Sequence, residues 1–275
     1  MRTSPALAAL RYLVLSLLAV LFLLPFYVLL RNGFSSDRLL ARATWHWWPD
    51  DVSLTSLREL FANDDVRMAR SLLNSAVVAV VQTVATVLIS ALAGYGLARI
   101  DSRANRVVLG LTVLTLMVPA AVTFIPSFVI VSTLGWISSL RGLIIPVLFS
   151  AFATFLFRQF FLGFPRELEE AAMIDGAGYW RTFWRVVMPN TYGICAAVGT
   201  ITFIGSWNAF LWPLLIGQDR DFRTVQVALS QFMNSQGVDL PQLFVGSAVA
   251  ILPVLLVFLF LQRYLVQGVE RSGID

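Results

Sequence analysis

Six stretches of this chain stay apolar for longer than a soluble fold requires, over residues 12–30, 71–98, 107–131, 142–162, 191–215 and 242–265. The hydrocarbon core of a bilayer is about 30 Å thick and a helix rises about 1.5 Å per residue, so about 20 residues cross it. Backbone polar groups must pair internally in lipid, which makes each stretch a predicted helix. The expectation is an all-α polytopic membrane protein with six transmembrane helices. Composition closes the soluble alternative. The chain is 58% hydrophobic and 13% charged, against about 45–50% and about 25% in soluble domains. That is too little charge to cover a water-facing surface. The run from Tyr12 to Leu30 is interrupted only by Ser16 and Pro25. It is too long for a signal-peptide core, and no small-residue cleavage site follows at Arg31-Asn32-Gly33, so it reads as a retained first helix.

All 20 basic residues are arginine, and the net charge is +4. In so apolar a chain, that balance points to the inner membrane face rather than to a nucleic-acid partner. With six spans both termini share one side. Placing them inside puts eleven arginines in, three of them in the short 99–106 turn, and nine out, six of those in 31–70. This bias predicts cytoplasmic termini in the cytoplasmic (inner) membrane. The spans hold no Asp or Glu, and their only charges, Arg158 and Arg263, lie near inner ends where the side chain can snorkel. Ion-coupled carriers keep ionisable groups within the membrane; a transporter without them takes its energy from a partner. Lacking lysine, the chain can build neither a P-loop nor a Schiff base. One cysteine, Cys195, and one histidine, His46, cannot make a disulfide or a Cys/His metal site. Cys195 reads as a buried inert thiol. His46 sits among Trp45, Trp47 and Trp48 before Pro49, a cluster read as an interfacial aromatic belt or, alternatively, as a ligand platform.

Three polar segments join the spans. Residues 31–70 and 216–241 are placed outside, and the apolar stretch Val225 to Met233 in the second is a candidate surface for an external partner. Residues 163–190 are placed inside and read as two short helices. Pro165 suits a first helical turn, Glu167, Glu169 and Glu170 face its positive end, and Asp175-Gly176 stops it. Tyr179, Trp180, Phe183, Trp184 and Val187 then form one broad apolar face, with Arg181 and Arg185 on another side and Pro189 at the end. No nucleophile–base pair or metal set is present. From pattern alone, a partner-docking element and an amphipathic hairpin lying on lipid stay equally open.

Glu170-Ala171-Ala172, Asp175-Gly176-Ala177, Val186 and Pro189 closely resemble the EAA loop of the permeases of ATP-binding-cassette importers. Met188 stands where that pattern has Leu. Asn74-Ser75, the run Gly94 to Arg99, the run Trp207 to Pro213 and the run Gln262 to Gly268 resemble segments of the maltose-type sugar importers. Ala209 replaces a frequent acid, and the tail 269–275 departs from the usual ending. The resemblance covers nearly the whole chain and matches the second, six-span permease of a pair.

It implies a type I importer permease fold, with residues 1–70 as N-terminal helix and outer segment and 71–275 as permease core. It also implies a homologous permease, two copies of an ATPase that carries the ATP and Mg, an extracytoplasmic solute-binding protein, and surrounding membrane lipid. This chain itself would bind no cofactor and catalyse nothing. Glu170, Ala171, Ala172, Asp175, Gly176, Ala177, Phe183, Val186 and Pro189 would couple it to the ATPase. Gln82, Trp207, Asn208 and Trp212 are candidates for the substrate pathway, or else glue between helices. The implied cargo is a sugar or sugar-related solute. The alternatives are another solute such as a glycerophosphodiester, or a channel or carrier with no ATPase.

Overall fold

The computed structural model describes residues 5–35, 46–48, 52–234 and 237–270. Trp45 and Pro49 of the aromatic cluster, and residues 271–275 of the tail, lie outside these. The helices are α1 (Pro5–Gly33), α2 (Thr55–Ala62), α3 (Met68–Arg99), α4 (Arg103–Met117), α5 (Ala120–Thr133), α6 (Leu140–Ile144), α7 (Ala151–Leu162), α8 (Arg166–Ile174), α9 (Tyr179–Thr182), α10 (Tyr192–Trp207), α11 (Leu211–Ile216), α12 (Val225–Ser230) and α13 (Leu240–Glu270). Among the described residues, a short hairpin of two two-residue strands, β1 (Met233–Asn234) with β2 (Gly237–Val238), and a single bridge between Ser35 and Val52 accompany the helices.

Among the described residues, three helices are long and apolar enough to cross a membrane unbroken: Leu7–Gly33, Met68–Arg99 and Leu240–Gln262. The other expected spans are not straight rods. The stretch 107–131 is broken into α4 and α5, with a bend of 104° between them. The cause is Pro119: proline pushes the residue before it out of the helical region, and Val118 is extended at φ −82, ψ 117. The stretch 142–162 bends by 44° between the segment Leu140–Val147 and α7, where Pro146 lies in a 3-10 turn. The stretch 191–215 stops at Trp207 and restarts at Leu211. A third bend, of 79°, lies between the segment Tyr179–Asn190 and Tyr192–Trp207, and counting each of the three bent pairs as one span brings the total among the described residues to as many as six.

Breaks in a membrane leave carbonyls without helical partners, and those must be met from elsewhere. Gly142 and Leu143 are in the last turn of α6. Trp212 Nε1 donates to the Gly142 carbonyl at 3.2 Å and Gln82 Nε2 to the Leu143 carbonyl at 3.0 Å. Thr86 Oγ1 donates to the Leu148 carbonyl at 3.1 Å. Neighbouring spans thus satisfy the broken one.

The chain forms two compact units. One comprises Met1–Ala69 and Val227–Leu252. In it Ser53 N–H donates to the Phe34 carbonyl at 2.9 Å, and Tyr27 meets Trp48 edge-on with ring centroids 6.0 Å apart. Leu60, Met68 and Leu229 crowd around Gly246. The apolar stretch Val225 to Met233 is therefore not a free outer surface. Val225, Val227, Ala228 and Leu229 of α12 and Phe232 just beyond it are buried, whereas Met233 is exposed.

The other unit comprises Arg70–Gln226 and Pro253–Asp275. Its core has two parts. Val78, Val131, Leu143, Ile144 and Ile216 form one. Ala91, Tyr95, Ala153, Phe157, Phe161, Phe164, Phe183, Val187 and Val198 form the other. Gly94 lets α3 lie directly on α7: a Cβ there would stand 2.7 Å from Phe157 Cβ and 2.8 Å from Arg158 N.

Candidate functional site

The segment 163–190 is a helical hairpin with a defined corner. Pro165 stands just before α8, and Glu167 and Glu169 fall in its first turn. At the far end Ala177 N–H donates to the Ala172 carbonyl at 2.9 Å and Gly176 N–H to the Met173 carbonyl at 3.0 Å. That pair of bonds is a Schellman closure, and it requires a left-handed residue after the cap. Gly176 supplies it, at φ +82. After α9 the ladder widens into a π turn over Phe183–Val187, and Met188 N–H reaches back to the Phe183 carbonyl. The regular α-helix therefore ends before Val187. The widening precedes Pro189, which removes one ladder donor and crowds the carbonyl four residues back. Asn190 Nδ2 caps the Val186 carbonyl at 2.7 Å.

Two anchors tie this hairpin to the spans. Phe183 and Val187 enter the aromatic core, with the Phe183 ring 5.1 Å from that of Tyr95. Of the apolar face read over Tyr179–Val187, these two are interior, whereas Tyr179, Trp180 and Trp184 are exposed. The second anchor is Glu169. Its Oε1 accepts from Arg99 Nε at 2.8 Å and lies 2.7 Å from Nη2, while its Oε2 accepts from the Tyr95 hydroxyl at 3.0 Å. Arg99 Nη2 also donates to the Phe164 carbonyl at 3.0 Å. Both charged side chains are only 5% exposed. Reading Glu169 as one of three first-turn acids misses this role. The available signal was Tyr95 and Arg99, four apart on one helix face at a membrane edge with no acid in their own helix.

Among the coupling candidates, Glu170, Ala171, Asp175, Gly176 and Pro189 are exposed, Ala172, Ala177 and Val186 are half-buried, and Phe183 is buried. Ile174 beside the corner is 86% exposed and Trp180 67%. Large apolar side chains this open, set among Glu170, Asp175, Arg181 and Arg185, mark a surface that meets something else.

The pathway candidates separate. Gln82 and Trp212 line a cavity of about 350 Å³ together with Thr86, Ser150, Thr202 and Ser206. The Ser206 hydroxyl is buried with no hydrogen-bond partner. Trp207 is buried and stacks on Phe203 at 5.8 Å, away from that wall. Asn208 Oδ1 accepts from Gln226 Nε2 at 3.1 Å and is likewise off the wall. The same unit fixes the head of α3. Asn74 Nδ2 donates to the carbonyls of Asp221 and Arg223 at 2.7 and 3.0 Å, and Ser75 Oγ accepts from Val225 N–H at 2.8 Å.

Residues 72–271 match the family of binding-protein-dependent transport system inner membrane components. The chain belongs to this family. It is 32% identical over 260 residues to the arabinooligosaccharides transport system permease protein AraQ of Bacillus subtilis, covering 94% of this chain and 92% of that one. It is 34% identical over 264 residues to the lactose transport system permease protein LacG of Rhizobium radiobacter, covering 95% and 94%. It is 36% identical over 212 residues to the sn-glycerol-3-phosphate transport system permease protein UgpE of Yersinia pestis, covering 76% and 75%. The fold matches a chain in the crystal structure of a bacterial ABC transporter involved in the import of the acidic polysaccharide alginate. The TM-score there is 0.84 at 20% identity, over 96% of this chain and 99% of that one.

The protein is a permease subunit of an ATP-binding-cassette importer, a multi-pass inner-membrane component and not an enzyme. Importers of this kind work with an ATPase and a binding protein. That explains a membrane chain with no intramembrane acid and no lysine: the energy enters through another subunit.

Proposed function

We propose that this permease carries a sugar or sugar-related solute inward by alternating access, and that residues 163–190 receive the stroke of the ATPase. The observation that carries this is the two-faced hairpin. Its exposed side offers Glu170, Asp175, Ile174 and Trp180, while Glu169, Phe183 and Val187 lock its other side to α3 and the aromatic core. A displacement applied to such a segment passes to the spans rather than bending a loop, because packed cores shift between discrete arrangements. Glu170, Ala171, Ala172, Asp175, Gly176, Ala177, Val186 and Pro189 are the contact segment, with Phe183 acting from inside.

The assembly has a homologous permease, two ATPase copies that hold the ATP and Mg, and an external binding protein. Both termini are cytoplasmic. Helix α1 supports a permease partner: its apolar window is 0% buried within this chain, leaving a whole span for lipid or a second subunit. The sugar reading is supported by the relatives named for arabinooligosaccharides and lactose. The relative named for sn-glycerol-3-phosphate, at 36% identity, favours a sugar-sized phosphate ester as the second reading. The cavity is mainly apolar, with Gln82, Thr86, Ser150, Thr202 and Ser206 as its few polar groups and Trp212 as an aromatic one, a mixture that suits a sugar ring with its hydroxyls. Calorimetry of the binding protein against a sugar panel and glycerol 3-phosphate, followed by uptake of the ligand found, tests the assignment. Saturable binding of neither class would refute it.

A further inference from the structure

A third cavity, of about 400 Å³, lies at the other end of α3, where α3, α4, α7 and α8 converge. Its wall is mostly polar, unlike those of the two apolar cavities in the same unit. Four arginines line it: Arg99, Arg106, Arg158 and Arg166. Arg99 Nη1 and Arg158 Nε are both buried without a hydrogen-bond partner. Glu169 and the Phe164 carbonyl already hold the other nitrogens of Arg99. Asp101 also lines the wall, an exposed carboxylate against four guanidinium groups. Ser102 and Asn105, from the start of α4, complete the polar wall, and a helix start carries positive potential.

Buried guanidinium N–H groups without acceptors are costly, since arginine cannot shed its charge. The acceptor that best matches a fork of guanidinium donors is a phosphate or a carboxylate. The surroundings favour one source. Immediately after Arg106, α4 presents Val107, Val108, Leu111 and Leu114, between 47% and 62% exposed, as an apolar face fit for acyl chains. We propose that the four arginines form an anion site that takes the phosphate group of an acidic membrane phospholipid, whose chains run along α4. The site belongs to no step of cargo transfer. Only its leaflet depends on the orientation proposed above.

The test is native mass spectrometry of the assembled transporter, purified in detergent and titrated with phosphatidylglycerol or phosphatidylcholine. A second arm follows inorganic phosphate by equilibrium dialysis with radiolabelled phosphate. The wild type should retain phosphatidylglycerol over phosphatidylcholine, and Arg158→Gln should weaken that retention about tenfold. Arg106→Gln, at an exposed position that leaves the core intact, should weaken it similarly, and Arg141→Gln should not. Saturable binding of inorganic phosphate without lipid selectivity would overturn the lipid source while keeping the anion site. No selectivity and no phosphate binding, or lipid retention untouched by both Arg158→Gln and Arg106→Gln, would overturn the site itself.

Discussion

Glu169→Gln isolates the joint between the hairpin of residues 163–190 and the spans. The carboxylate takes the Arg99 fork on one oxygen and the Tyr95 hydroxyl on the other, and both charged side chains are 5% exposed. Solvent therefore does little to replace what is lost. Removing one partner of a buried pair costs about 3–5 kcal/mol, mostly from the charge left behind. Arg99 keeps the Phe164 carbonyl at 3.0 Å, which argues for the lower end, about 3 kcal/mol. At about 1.4 kcal/mol per factor of ten, local opening of α8 becomes about a hundred times more frequent. Hydrogen–deuterium exchange of residues 166–177 in the purified complex reads this directly. The amides of Asp175, Gly176 and Ala177, which close the corner, should lose protection by about two orders of magnitude. The double variant Arg99→Leu/Glu169→Leu removes both charges and should return close to wild type, since an apolar replacement of a buried pair is often neutral. Protection within threefold of wild type in Glu169→Gln would refute the anchoring role. So would a double variant that exchanges as fast as the single one.

Gly176→Ala meets no atom within 4 Å but must hold φ +82, so it should cost about 1 kcal/mol; uptake should fall at normal membrane insertion, and Gly176→Asn should fall less. Gly94→Ala forces a methyl to 2.7 Å from Phe157 Cβ and should lower stability by about 1–3 kcal/mol in thermal unfolding, whereas Gly96→Ala, with open space around it, should not. For topology, single cysteines in a Cys195→Ala background should be labelled by an impermeant thiol reagent in intact cells at Trp48→Cys and Gln218→Cys; labelling at Asp101→Cys before permeabilisation would overturn the proposed orientation.

The long apolar runs made the membrane class legible, because lipid imposes one length on every span. They hid the breaks. Pro119 and Pro146 sit inside runs whose average hydropathy is that of a continuous helix, and hydropathy counts composition rather than backbone continuity. The corner at Gly176 was legible because its closure is local: donors, acceptors and the left-handed residue lie within six positions. The burial of Val225, Val227, Ala228, Leu229 and Phe232 was not, since it depends on tertiary packing rather than on the local pattern. Gln82 and Trp212 were legible as polar groups in spans. Their partners, carbonyls of a broken helix more than sixty residues away, were not.

Adjacent carboxylates show the same limit. Glu169 and Glu170 are neighbours with identical chemistry, and a first-turn argument treats them alike. On a helix they point about 100° apart. The aromatic core and Arg99 fix which one turns inward, and Glu170 is left exposed beside Ala171. One turn of α8 therefore carries an anchor and an exposed carboxylate side by side. Shifting the pair onward by one residue would turn Glu169 to the exposed face and leave another side chain opposite Arg99. A one-residue insertion between Leu168 and Glu169 should accordingly disable transport more severely than loss of either carboxylate alone, because it removes both the joint and the surface that the joint holds in place.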